Sequence, residues 1–338
     1  MSIKGLVRKE WKQSKLILIM LSILFVFHYP MRAILGLGDW RERAGEEYFM
    51  PEFEVPSIFG PSLPSFLILL LLVYLAVQFI GTERNTRRHD FSFALPFKRS
   101  TMYFVKWLVG VGVVTVAILV TFTSAYILVS TSEFGMYLNS GDISFLTLFF
   151  THLFGYIAMY SFALFIGTFT GEMGSQIALT IIFTIFPAGI IILLSSFLDL
   201  HAPWLLKYLH EQFQFLQKLV WPLYTMMSVI NGPISVNLLY PIIATALFLF
   251  VGAWLYERNP SEHNGEFLLF KQLEPIFRVG IVVCFALLGG MIVSGLVPYT
   301  LTGSTQILFY WIGFFIFLLL SFLLTRRLFA MNITVKGK

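Results

Sequence analysis

VGIVVCFALLGGMIVSGLVPYTLTGSTQILFYWIGFFIFLLLSFLLT, residues 279–325, holds no Asp, Glu, Lys or Arg in 47 positions. A helix crossing a hydrocarbon core of ~30 Å needs ~20 apolar residues at ~1.5 Å rise each. The stretch is therefore too long for one crossing and suits two. Pro298 and the polar run Thr300-Leu301-Thr302-Gly303-Ser304 divide it into a hairpin. The same reading applied outward predicts spans at 16–35, 63–81, 107–130, 145–169, 176–198, 238–256, 279–298 and 306–325. The expected fold class is an all-α integral membrane protein of about eight transmembrane helices, forming a single transmembrane domain over 1–338.

Composition points the same way. Of 338 residues, 57% are hydrophobic and 12% charged, against roughly 25% charged in a soluble domain. Such a chain could not cover a globular surface with polar groups. The net charge of +5 lies in short segments between apolar runs, which reads as membrane topology and not as a nucleic-acid-binding stripe. The one cysteine, Cys284, sits inside an apolar run, so no disulfide forms within the chain, and no Cys/His cluster has metal-ligand spacing. The run from Leu16 has a basic flank like a secretory signal, but bulky His28, Tyr29 and Pro30 close it without a small-residue cleavage site. A retained first span is expected.

Orientation follows from the bases. With both ends inside, the N-terminus, 82–106, 257–278 and 326–338 carry 18 of the 23 Lys and Arg residues, and the external segment 36–62 carries six acids. That is the positive-inside arrangement. An even number of spans keeps the basic C-terminus inside. Gly110 with Gly112, and Gly290 with Ser294, mark close helix contacts; Pro187 is placed to kink the fifth span.

Three segments are amphipathic. In 1–15, Ile3, Leu6, Val7 and Trp11 share one arc and Lys4, Arg8, Lys9, Lys12 and Lys15 the other. This describes an interfacial helix facing anionic headgroups of the membrane lipids. Glu10 falls in the middle of the apolar arc, and a buried carboxylate needs a partner; Arg84, Arg87 or Arg88 of the next cytoplasmic loop are the expected ones. In that loop, 82–106, bases alternate with Phe91, Phe93, Leu95 and Phe97. Asp90 suits a helix cap and Pro96 a stop. The aromatic residues either contact a soluble partner or lie on the membrane surface. The third segment, 203–221, opens with Pro203 and is stopped by Pro222, with Trp204 and Trp221 at headgroup level on the outer leaflet. It is a lid or a brace.

Three stretches carry a resemblance: LVRKEWK before the first span, GTERNTRRHDFSFALPFKRSTMYFVK between spans two and three, and YERNPSEHNGEF after span six. The middle one is the most specific: an acid, Glu83, closes span two, then come a helix, Leu-Pro-x-x-Arg, and a Lys opening span three. In these the chain resembles the ABC-2 type permease subunits of bacterial ATP-binding-cassette transporters, in particular a Gram-positive Ytr-like group. The resemblance implies a non-catalytic permease subunit of the bacterial cytoplasmic membrane, working with ABC ATPase subunits and a second permease subunit, identical or related. It implies that the loop after span two is a coupling helix seated on the ATPase, with Asp90, Phe91, Phe93, Leu95, Pro96, Phe97 and Arg99 as the docking element. ATP and Mg would be used by the partner and no cofactor bound by this chain, which lacks the phosphate-loop pattern G-x-x-x-x-G-K-[ST]. Many members of the group have six spans, where eight are expected here.

Other chemistries find little support in the residues. Gly36-Leu37-Gly38-Asp39 matches the G-x-G-D of intramembrane aspartyl proteases without a Tyr-Asp partner anywhere; His210-Glu211 lacks a second His; Glu46-Glu47 lacks the arginine of membrane-embedded CAAX proteases. Ion-coupled transporters place ionisable groups at the bilayer midplane. Here only Gln78, His28 and His152 are polar exceptions, which leaves an ion-coupled transporter or an accessory membrane protein as the alternatives. The 37 phenylalanines suit a hydrophobic, lipid-like or peptide substrate.

Overall fold

The computed structural model describes residues 3–86, 96–138, 144–226, 237–259, 264–298 and 303–330, with the side chains of 207, 210–212, 214 and 328–330 left aside. The described residues are helical, without named strands. In chain order they form α1 (Ile3–Val26), a π-helical turn (Phe27–Met31), α2 (Arg32–Arg43), α3 (Pro51–Ser57), α4 (Leu63–Phe79), α5 (Gly81–Asn85), α6 (Arg99–Ser130), α7 (Gly135–Leu138), α8 (Phe145–Phe169), α9 (Met173–His201), α10 (Pro203–Gln217), α11 (Trp221–Met226), α12 (Leu239–Glu257), α13 (Glu274–Gly295) and α14 (Ser304–Ala330). By length and composition, eight helical stretches among the described residues can cross a membrane: Ile3–Arg43, Leu63–Asn85, Arg99–Ser130, Phe145–Phe169, Met173–His201, Leu239–Glu257, Lys271–Gly295 and Ser304–Arg327.

Charge-free length locates these helices, but two features of the first differ from expectation. The N-terminal segment is continuous with the helix that follows: from Ile3 to Val26 nothing breaks the backbone, and Leu6, Glu10 and Ser14 are buried against protein. The helix also does not stop at 35. Pro30 is absorbed in the π-helical turn, whose wider register tolerates the missing N–H, and helix continues to Arg43.

The chain divides into two compact units, Met1–Thr168 with Trp221–Asn259, and Phe169–Val220 with Pro260–Lys338. In the first unit α1 packs on α4 and α6, and α6 packs on α12. Its core is aromatic: Phe122 meets Tyr29 at 5.1 Å and Phe59 at 4.9 Å between ring centroids. Small residues set the closest approaches. A Cβ on Gly110 would strike the Tyr160 ring, and one on Gly252 would strike Tyr103. Gly112, expected to share the Gly110 contact, faces open space instead. Trp221 packs edge-on against Phe248 at 5.8 Å and is buried, so its ring fills a core position. The preceding helix ends at Gln217, before Pro222, which falls in the first turn of α11, a position proline suits.

In the second unit α13 and α14 form the expected hairpin, turned at Gly303 with φ +86°, a left-handed conformation that glycine adopts without steric cost. A Cβ on Gly289 would strike Phe317, one on Gly290 would strike Tyr310, and one on Gly313 would strike the Gly289 carbonyl. α9 accommodates Pro187 within one helix and packs on α10 and α13. An antiparallel backbone bridge, with Leu269 N–H donating to Phe169 O at 2.9 Å and Gly265 N–H donating to Gly171 O at 3.0 Å, joins the two chain segments of this unit.

Candidate coupling site

The most unusual chemistry lies in the first unit, where α1, the α4–α5 junction and the start of α6 meet. Four ionic side chains, Glu10, Glu83, Arg84 and Lys106, are removed from solvent there. Lys106 Nζ lies 3.0 Å from Glu10 Oε2 and 3.0 Å from Glu83 Oε2, and all three side chains are 1% exposed. Lys9 Nζ, one-third exposed, lies 3.4 Å from Glu83 Oε1 and 3.5 Å from Glu10 Oε1. Two carboxylates thus face two ammonium groups, with the buried Arg84 guanidinium beside Glu83. Such burial is tolerated because each charge is both paired and hydrogen-bonded. Lys106 Nζ also stands 5.5 Å from the centroid of the Phe79 ring.

Each helix contributes for a local reason. Glu10 sits on the face of α1 that carries Leu6 and Ile17, all buried. Glu83 lies in α5, which continues α4 past a non-ideal residue, Ile80 (φ −118°, ψ −59°). Lys106 is reached by the second turn of α6, which opens at Arg99. The surroundings then fix the cluster. Tyr160 of α8 donates its hydroxyl to Lys106 O at 2.8 Å, and Trp107 Nε1–H donates to Ser161 Oγ at 2.8 Å. The neighbouring Arg84 is 4% exposed and donates from Nη1 to Gly167 O at 2.6 Å.

Glu10 is therefore buried and paired, as its place on the helical wheel requires, but the partner differs from the expected loop arginines. Its carboxylate meets Lys106 and Lys9, while Arg84 serves a backbone carbonyl. Arg87 and Arg88 lie outside the described residues, as do Asp90, Phe91, Phe93 and Leu95. Of the remaining loop residues, Pro96 is exposed and Phe97 half-buried. Arg99 Nη1 donates to Asn259 O at 3.1 Å, tying the start of α6 to the end of α12. Trp11 is 46% exposed. The cluster flanks both ends of the 86–98 segment: Glu83 stands just before it, and Lys106 stands two turns into α6 just after it. Sequence reading misses Lys106 as a partner, although it marks both the acid that closes span two and the lysine that opens span three.

The polar exceptions of the spans lie elsewhere in the same unit. His152 places Nδ1 2.8 Å from Leu148 O and Nε2 3.0 Å from Phe59 O, so its neutral ring donates to one of the two carbonyls, and His28 Nδ1 is 2.8 Å from Ser62 Oγ. Asp39 of the G-x-G-D match is exposed and held by Arg43 at 3.0 Å. Among the described residues no group of His, Cys, Asp and Glu is arranged to hold a metal ion.

No family model matches the chain. It is 25% identical over 300 residues to the probable ABC transporter permease YtrC of Bacillus subtilis (strain 168), an alignment covering 85% of this chain and 87% of that protein. It is 24% identical over 293 residues to the probable ABC transporter permease YtrD of the same organism, covering 84% and 86%. Similarity to these permeases along most of the chain, with eight long apolar helices, places the protein in the cytoplasmic membrane as a multi-pass protein.

Proposed function

We propose that this chain is the permease subunit of an ATP-driven transporter of ABC-2 type, moving a hydrophobic, lipid-like or peptide substrate across the cytoplasmic membrane. The observation that carries the reading is similarity to two probable ABC transporter permeases over about 85% of the chain. Two permease subunits, identical or related, would enclose the path, with both termini and the loop after α5 on the cytoplasmic side. ATPase subunits supply nucleotide hydrolysis from outside this chain, docking on the loop that carries Asp90, Phe91, Phe93, Leu95, Pro96, Phe97 and Arg99.

The buried cluster gives this loop a mechanical role. A docking element on a free loop would flex when pushed. Here the helix before the loop and the helix after it are bound to each other and to α1 through Lys106, Glu83 and Glu10. Displacement of the loop then moves α1, α4 and α6 together, because separating them would strand a buried charge at a cost of about 3–5 kcal/mol. The cluster thus converts a push on the loop into movement of spanning helices.

Affinity capture of the tagged chain from its own membranes is the test. A phosphate-loop ATPase should accompany it, and replacing Phe91, Phe93 and Phe97 together by Ser should abolish that association while leaving the chain in the membrane. Undiminished association of the triple variant would refute the docking assignment.

A further inference from the structure

A groove of about 620 Å³ runs along α1 and α6, lined by Val7, Trp11 and Val26 on one side and Leu108, Gly112 and Val116 on the other. Its volume is within the range of about 300–1,000 Å³ that holds small-molecule ligands. The walls are apolar throughout. The two hydroxyls that border it are spent on their own helices: Ser22 Oγ donates to Leu18 O at 2.9 Å and Thr121 Oγ1 to Ala117 O at 2.7 Å. Gly112 leaves a notch, with nothing within 4 Å of where its Cβ would stand.

One end of the groove is cationic. At 100° per residue, Lys4, Arg8 and Lys15 fall within the same arc of α1 as Val7, Trp11, Ser22 and Val26. These bases therefore adjoin Val7 and Trp11 instead of lying opposite them. All three are exposed, and none makes an ion pair among the described residues. The acid of this helix, Glu10, faces away and is taken by Lys106. From Trp11 to Val26 the helix rises about 22 Å, more than the ~15 Å depth of one leaflet's hydrocarbon.

We propose that this groove holds one acyl chain of an anionic phospholipid of the inner leaflet, with its phosphate beside Lys4 and Arg8, Lys15 reaching back toward it along the helix, and its first methylenes on Trp11. An oily channel of leaflet depth flanked at its start by a row of cations that make no ion pair among the described residues matches that ligand in both halves. A second copy of the chain fits less well. A two-fold contact through the groove would bring the same three cations of each α1 together, and like charges repel. The proposal rests on the membrane placement and positive-inside orientation of α1, and not on ATP-driven transport.

The test uses the full chain in vesicles of phosphatidylglycerol and phosphatidylcholine with matched chains, one of the two brominated along the acyl chain. Quenching that is lost in Trp11→Phe reports lipid at the groove. Attraction of about 1 kcal/mol per surface cation corresponds to about fivefold per residue, so preference for phosphatidylglycerol should be at least about fivefold. It should fall to near unity in Lys4→Gln/Arg8→Gln/Lys15→Gln. A Cβ at Gly112 meets nothing within 4 Å, so Gly112→Phe should fill the notch and lower Trp11 quenching by either lipid. Soluble glycerophosphate should not compete, since it lacks the chain. Equal quenching by both lipids, or Gly112→Phe indistinguishable from the parent, would overturn the proposal. So would efficient disulfide cross-linking between copies through Gly112→Cys in a Cys284→Ala background.

Discussion

Replacing Lys106 by Met is the sharpest perturbation of the buried cluster. The side chains are similar in length and the apolar stem is kept, so packing changes little while one charge disappears. Lys106 Nζ is 3.0 Å from a carboxylate oxygen on each of Glu10 and Glu83. At an effective dielectric of 20, each contact amounts to about 5–6 kcal/mol of Coulomb attraction before desolvation is subtracted. Removing the lysine leaves two carboxylates, each 1% exposed, facing a partly exposed Lys9 and, beside Glu83, the buried Arg84. Breaking a buried pair in this way costs about 3–5 kcal/mol. At roughly 2 °C per kcal/mol for a chain of this size, the apparent unfolding midpoint of the detergent-solubilised protein should fall by about 6–10 °C. Neutralising the whole cluster, as Lys106→Met with Glu10→Gln and Glu83→Gln, should recover most of the loss, because buried ion pairs replaced by neutral groups are often close to neutral in stability. Tryptophan fluorescence during heating follows each variant, and a double-mutant cycle isolates the coupling. A single variant with an unchanged midpoint, or a triple variant no better than the single one, would show that the cluster is not the lock described above.

Glycine spacing gives a paired expectation. Gly110→Leu should destabilise by about 1–3 kcal/mol through overpacking against Tyr160, whereas Gly112→Leu, two residues on and open, should stay within about 0.5 kcal/mol; thermal unfolding of both checks the contrast. Gly289→Val should likewise destabilise the α13–α14 hairpin by about 1–3 kcal/mol through Phe317, read as increased protease cleavage of the second unit. Among exposed groups, Arg41 Nε donates to Glu133 Oε1 at 2.6 Å and holds its carboxyl below the usual carboxylate range. A depressed folded-state value means that the pair's contribution is complete above the unfolded carboxylate value and fades as pH falls through the lowered one. Glu133→Gln should remove that small acid-side decline from the pH profile of the unfolding midpoint, and an unaltered profile would discount the pair.

Much of this fold is legible because lipid excludes ions. The 145–169 span coincides with Phe145–Phe169, and the hairpin over 279–325 announces itself in 47 charge-free residues and one polar turn. What escapes reading depends on packing. The polar first fifteen residues read as a helix apart from the first span, whereas in the structure one helix runs from Ile3 to Val26 with part of its apolar face covered by protein. Pro30 looks like a stop until a π-helical turn absorbs it. Glu10 is identifiable as needing a partner from its helical wheel alone, but Lys106, 96 residues away, can be chosen over the nearer arginines only once α1 and α6 are seen side by side. Trp221 reads as a headgroup anchor by type and position, and its burial against Phe248 shows only in the structure.

A chain that supplies the membrane path of a transporter powered by a separate ATPase should bring that ATPase with it. The decisive measurement is nucleotide turnover in vesicles, after the tagged chain is purified from its native membranes and reconstituted with whatever accompanies it. A co-purifying phosphate-loop ATPase is expected, with hydrolysis retained in the vesicles and lost when Phe91, Phe93 and Phe97 are all Ser. A chain that purifies alone, with no associated turnover, and whose vesicles instead carry substrate along an ion gradient would contradict that reading.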